Sequence, residues 1–230
     1  MLDIVPNQDL FEGLRHNYLY KKQVYNAALE TFKLIKKTII ELCKEYNKRF
    51  GSNPERIPFE YHERSELEID LLFGSDVLFF TLHTNVFEFS RDHEVMKTHY
   101  INENKDRSYC GVIMIHNFLA DSIKYNRLND IGYMIGRLFV NYEKHYFIEG
   151  KKEIGQLYNN FETSIISPES VRELVESAIR YTVNFDLLTP PFDAVKIVTV
   201  DDIQSNVENT RMVTGKRLGF RFQADMQQEI

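Results

Sequence analysis

Tryptophan is absent from this 230-residue chain, and cysteine is limited to Cys43 and Cys110. Two thiols so placed give neither a disulfide framework nor the ligand spacing of a structural zinc site. They fit a reducing compartment. Glycine (10) and proline (6) are sparse, which argues against long flexible linkers. Apolar runs such as Val77–Leu82 fall far short of the roughly 20 residues that span a bilayer, so no membrane partner is expected. Met1–Asp9 lacks a basic start and an apolar segment, so no signal peptide is expected and the cytoplasm is the expected location. Neither a Gly-x-Ser-x-Gly elbow nor a Rossmann glycine fingerprint occurs, and no internal repeat is visible. The net charge of −6 opposes non-specific attraction to nucleic acid or anionic lipid.

What the chain does have is aromatic rings, 17 Phe and 13 Tyr, which favour a substantial sheet. Its clearest single element is helical. Val24, Ala28, Phe32, Ile35, Ile39, Leu42 and Tyr46 recur at spacings of three and four, with Glu30, Lys33, Lys37, Glu41 and Lys44 opposite. The pattern predicts a long helix ending at Gly51-Ser52-Asn53-Pro54. Over Gln23–Tyr46 it would be about 36 Å long. It must therefore cross most of the body or pair with a second copy, which raises a homodimer as an expectation.

After Pro58 the rhythm becomes every other residue. Phe59–Glu63 alternates. In Leu67–Phe73, the residues Leu67, Ile69, Leu71 and Phe73 share one face, and Glu66, Glu68 and Asp70 share the other as a solvated acidic row. Gly74-Ser75-Asp76 is a turn. Val77–Thr84, apolar on both faces, is a central strand, and Val86–Ser90 forms another. The connections suit an antiparallel meander. Arg91–Arg107 is polar and reads as a surface excursion. Tyr109–His116 is a strand, 117–136 can form a helix or two short helices, and Leu138–Asn141 with His145–Glu149 forms a hairpin. Ile154, Leu157, Tyr158 and Phe161 suggest a short helix. Ser167-Pro168 starts a longer one. Val195–Val200 and Leu218–Phe222 read as strands, with a short helix capped by Asp201 between them.

Few residues stand out chemically. His83 and His116 end predicted strands and would converge with Asp121 if those strands were neighbours. A metal site needs three or four such groups at bonding distance. The acidic row Glu66, Glu68, Asp70 is of the kind that metal-dependent nucleases carry on a central hairpin, but the Glu-x-Lys arm on the next strand is missing. Lys216, Arg217 and Arg221 concentrate positive charge near Gly215 and Gly219. That segment lacks the first glycine and the hydroxyl of a phosphate loop, yet it can contact an anion.

The expectation is α+β: a mainly antiparallel sheet of about 5–7 strands, covered by a long N-terminal helix and a second helix near 168–186. Residues 1–230 form one domain, with 1–20 and 223–230 frayed. The leading function is a non-enzymatic binding or regulatory protein without cofactor or metal, acting as a homodimer. Its partner is a protein or a small anionic ligand rather than nucleic acid. Candidate binding residues are His83, His116, Asp121, Lys216, Arg217 and Arg221. The alternative is a metal-assisted hydrolase or nuclease-like enzyme using the strand-end histidines and carboxylates.

Overall fold

A computed structural model describes residues 9–128, 130–150 and 160–184, together with Lys196 and Val200. Helix α1 (Leu10–Phe50) opens the chain. Six antiparallel strands follow: β1 (Phe59–Ser65), β2 (Glu68–Phe73), β3 (Asp76–Glu88), β4 (Tyr109–Leu119), β5 (Tyr133–Val140) and β6 (Tyr146–Gly150). They lie in one sheet in sequence order, a meander. Short helices α2 (His99–Glu103) and α3 (Ala120–Lys124) flank β4, and α4 (Pro168–Val183) is the last described helix. The α+β class, the single mainly antiparallel sheet and the two covering helices agree with the sequence pattern.

The 3.6-residue apolar rhythm explains which part of α1 is structural. Val24, Ala28, Phe32, Ile35 and Ile39 are fully buried, whereas Leu10, Phe11, Leu14 and Tyr18 are exposed. The helix is longer than its buried stripe: its 41 residues span about 61 Å. The frayed segment expected over 1–20 is thus helical from Leu10, with Asp9 accepting the Phe11 N–H. The buried stripe lies on one sheet face against Ile69, Leu71, Leu78, Phe80, Ile113, Ile115, Leu138 and Ile148. Gly111 lets α1 approach β4 closely, since a Cβ there would sit 2.4 Å from the Ala28 Cβ. Helix α4 completes this layer with Val171, Leu174, Val175 and Ala178. It starts as Ser167-Pro168 suggests: the Ser167 hydroxyl accepts the Ser170 N–H, and the Ser170 hydroxyl accepts the Ser167 N–H.

Several local expectations need correction. Val77–Thr84 and Val86–Ser90 are not separate strands but one strand, β3, with an irregularity between Leu82 and Val86. Among the described residues, 117–136 hold the end of β4, one five-residue helix and the start of β5 rather than a longer helix or two short ones. The 91–108 excursion is no mere surface loop. Its Val95, Tyr100 and Ile101 are buried over Cys110, Val112, Phe139 and Phe161 on the opposite sheet face. Asp70 is not solvated: it is 2% exposed. Residues 154–159 of the helix expected around Ile154–Phe161, the strand and helix expected over 195–209, the Leu218–Phe222 strand and the basic residues Lys216, Arg217 and Arg221 lie outside the described residues, apart from Lys196 and Val200.

Candidate functional site

The sheet has two unlike faces, and candidate chemistry collects on the one turned away from α1. Strand pairing assigns side chains to it in rows. His62, Asp70, Phe79, His116 and Met134 form one row across five strands. Glu68, Thr81, Met114, Arg137 and Glu149 form the next. The 91–108 segment and Phe161 cover the β4–β6 end of this face, and the β1–β3 end is left more open.

Where cover meets open face there is a groove of about 330 Å³. Val112, Met114 and Phe139 belong to its floor strands, Phe87, Phe89 and His93 follow from the end of β3, and Met134 with the Arg137–Glu149 pair lies on the far side. Its rings touch one another: Phe89 stacks on His93 with centroids 4.7 Å apart and lies 4.8 Å from Phe139. The volume falls at the small end of ligand pockets. His83 Nδ1 accepts the Asn85 N–H at 3.0 Å, and His93 Nδ1 accepts the Val95 N–H at 3.2 Å. Each neutral ring therefore carries its proton on Nε2, leaving a donor to offer at the rim. Arg137 forms a hydrogen-bonded ion pair with Glu149, so the guanidinium is not a bare cation.

The sequence-derived candidates do not gather. His116 pairs with Phe79, and His83 lies four residues further along the same strand, which separates the two imidazoles by roughly 13 Å. His83 stabilises the β3 irregularity and packs on Phe87, with centroids 4.7 Å apart. His116 is half-buried, and burial holds its imidazole below the usual histidine range. Asp121 is exposed in the first turn of α3, beyond the end of β4. Among the described residues no three His, Cys, Asp or Glu side chains converge as metal ligands. In the acidic row Glu66 is exposed and Glu68 half-buried. The Asp70 carboxylate receives Arg64 Nε at 3.2 Å and lies 3.2 Å from His62 Nδ1.

A second polar cluster secures the covering segment. The Tyr100 hydroxyl donates to Glu143 at 2.5 Å and accepts from Asn141 Nδ2 at 2.8 Å. Tyr142 donates to the other Glu143 oxygen at 2.9 Å. Burial pushes the Glu143 carboxyl up, but these hydroxyls and the neighbouring Arg107 guanidinium outweigh it and hold the group below the usual range. Burial, then the bond to Glu143, pushes the Tyr100 phenol up. Asn141 is fully buried, and its Oδ1 accepts the N–H groups of Glu143 and His145, both at 3.0 Å. The cluster ties 99–108 to the β5–β6 turn and has the character of a brace. Neither cysteine is poised for chemistry: burial raises the Cys43 thiol to about 11 and lifts Cys110 well above its ordinary value.

Of the groove lining only His83 was a candidate in sequence; the rings Phe87, Phe89, His93 and Phe139, the thioethers Met114 and Met134, and the Arg137–Glu149 pair were missed. Two signals were readable: the alternation that puts Phe87 and Phe89 on one face, and a hairpin centred on Glu143 that sets position 137 opposite 149. No protein-family model, no curated protein and no solved structure matches this chain. Among the described residues no helix is long and apolar enough to cross a membrane.

Proposed function

We propose that the chain is a non-enzymatic binding protein of the cytoplasm, working as a homodimer, that holds a small planar aromatic ligand in the groove over β3–β5. The observation that carries this reading is the lining. Phe87, Phe89, Phe139 and His93 offer ring faces and edges, and Met114 and Met134 offer polarisable thioethers. A flat ligand gains most from such walls. His83 and His93 can donate from Nε2 to an acceptor on its rim, which favours a ligand bearing a carbonyl or carboxylate. The small anionic ligand expected from the sequence is thus moved from the C-terminal basic residues to this groove. The hydrolase alternative has no converging ligand set among the described residues, and nothing in the geometry favours it.

The absence of tryptophan makes the test direct. Anilinonaphthalene sulfonate, an aromatic anion with a flat naphthalene ring system, should bind saturably at one site per chain with enhanced fluorescence. Met114→Glu, at the half-buried floor, should weaken that binding at least tenfold while the circular dichroism spectrum is retained. Absence of saturable binding, or binding that Met114→Glu leaves unchanged, would reject the groove as the site.

A further inference from the structure

The sheet has an open edge at β1, which pairs only with β2 among the described residues. The Gly74 N–H bonds the Pro58 carbonyl at 2.9 Å, one step beyond the Phe59–Phe73 pair. In an antiparallel ladder direct bonding alternates. Even-numbered residues of β1 therefore turn their backbone groups to β2, and Phe59, Tyr61 and Glu63 turn theirs outward. Glu60–Ser65 is exposed, and exposed Phe50, Ile57 and Tyr61 lie close to it in the chain and sheet.

Charges on an edge strand commonly block pairing with another chain. Here their order does the reverse. Glu60, His62 and Arg64 follow one another on the open sheet face, a carboxylate and a guanidinium on either side of an imidazole, with Arg64 also holding Asp70 of its own chain. A second copy laid antiparallel about a two-fold axis at His62 would set Glu60 opposite Arg64 of that copy, twice, with the two imidazoles between them. The outward groups of Tyr61 and Glu63 would fall opposite each other and exchange four backbone hydrogen bonds. Opposite charges directly across a pair stabilise it, and like charges destabilise it. The register shift between Glu63 and Ser65 makes Arg64 a bulged residue at the end of the regular ladder, so the paired stretch is short.

We infer that the partner seated on β1 is a second copy of this chain, paired antiparallel through Glu60–Arg64 with His62 on the axis, which joins the six described strands of each copy into one sheet. The inference rests on the homodimer reading above but commits to a surface, the β1 edge, in place of α1. It is separable from that reading by experiment. Sedimentation of the full chain should give twice 27.3 kDa. The His62→Cys variant should cross-link to itself under mild oxidation, because directly opposed residues of a non-hydrogen-bonded pair lie within disulfide reach. The wild type should not cross-link, as Cys43 and Cys110 are buried. Tyr61→Pro removes one outward N–H, a change edge strands tolerate, and should halve the mass with the melting temperature of the monomer unchanged. A single-chain mass for the wild type at every concentration would overturn both the homodimer and this surface. A dimer that survives Tyr61→Pro and fails to cross-link at position 62 would overturn the surface alone. A Tyr61→Pro monomer that melts below wild-type chain diluted until it is monomeric would show that the chain's own residues occupy the edge, which also overturns it.

Discussion

The two faces of the sheet are built from the same strands yet obey different rules. The helix face is a continuous apolar layer: Ile69, Leu71, Leu78, Phe80, Ile113, Ile115, Leu138 and Ile148 meet α1 and α4 and exclude water throughout. The other face mixes rings with charged residues. It is sealed only toward β6, and it keeps a carboxylate, Asp70, buried by giving it Arg64 and His62. One face thus supplies stability through area removed from water. The other carries polar groups whose contacts must each be satisfied, and it has room for a ligand.

That contrast can be broken most forcefully on the helix side. Phe32 is fully buried where α1 meets the sheet, and Phe32→Ala should cost about 3–5 kcal/mol, measured by urea unfolding. A loss below about 1 kcal/mol would mean that the helix layer does not hold the fold. A smaller effect is expected on the opposite face at the brace. Asn141→Ala strands the N–H groups of Glu143 and His145 and frees the Tyr100 hydroxyl from one partner, a loss of about 1–3 kcal/mol. Hydrogen exchange should then quicken in 94–108 before it quickens in α1. Uniform quickening would contradict a separately braced cover.

The smallest effect concerns pH and sharpens the same comparison. Half-buried His116 binds a proton less readily folded than unfolded. As pH falls below the unfolded histidine value of about 6.5, the unfolded state takes up the proton first, so stability declines. The decline levels off once pH is below the folded value. His116→Gln should flatten this part of the stability profile without altering its plateau above neutrality. An unchanged acid slope would show that His116 contributes nothing to it.

The helix face was legible in the sequence because burial there follows a strict period, 3.6 in α1 and two in the strands. Ile69, Leu71 and Phe73 could be assigned to the core from spacing alone, as could the Ser167-Pro168 helix start. The other face resisted for physical reasons. Its cover comes from Val95, Met96, Tyr100 and Ile101, scattered through a polar segment of short turns that has no single period. Asp70 kept the alternation of a solvated strand, yet its burial depends on Arg64 and His62 of the neighbouring strand, a tertiary fact. The groove was hidden for a related reason. Its residues come from four strands and a turn, and across strands only the β5–β6 hairpin register tied two of them, Arg137 and Glu149, together in advance. His83 and His116 do lie on neighbouring strands, but inside them rather than at their ends, since β3 runs to Glu88 and β4 to Leu119; adjacency of strands says nothing about offset along them, and the offset separates the rings.

The irregularity in β3 has a counting consequence. Leu82 pairs with Ile113 and Val86 with Gly111, so three residues, His83, Thr84 and Asn85, stand against Val112 alone. The surplus is two, an even number, and parity across the interruption is conserved: Val86 returns to the helix side and Phe87 to the open side. A surplus of one or three would invert every residue that follows, sending Phe87 and Phe89 toward α1 and stripping the groove of its aromatic wall. The length of this short detour, more than the identity of its residues, is what keeps those two rings on the groove side of the sheet.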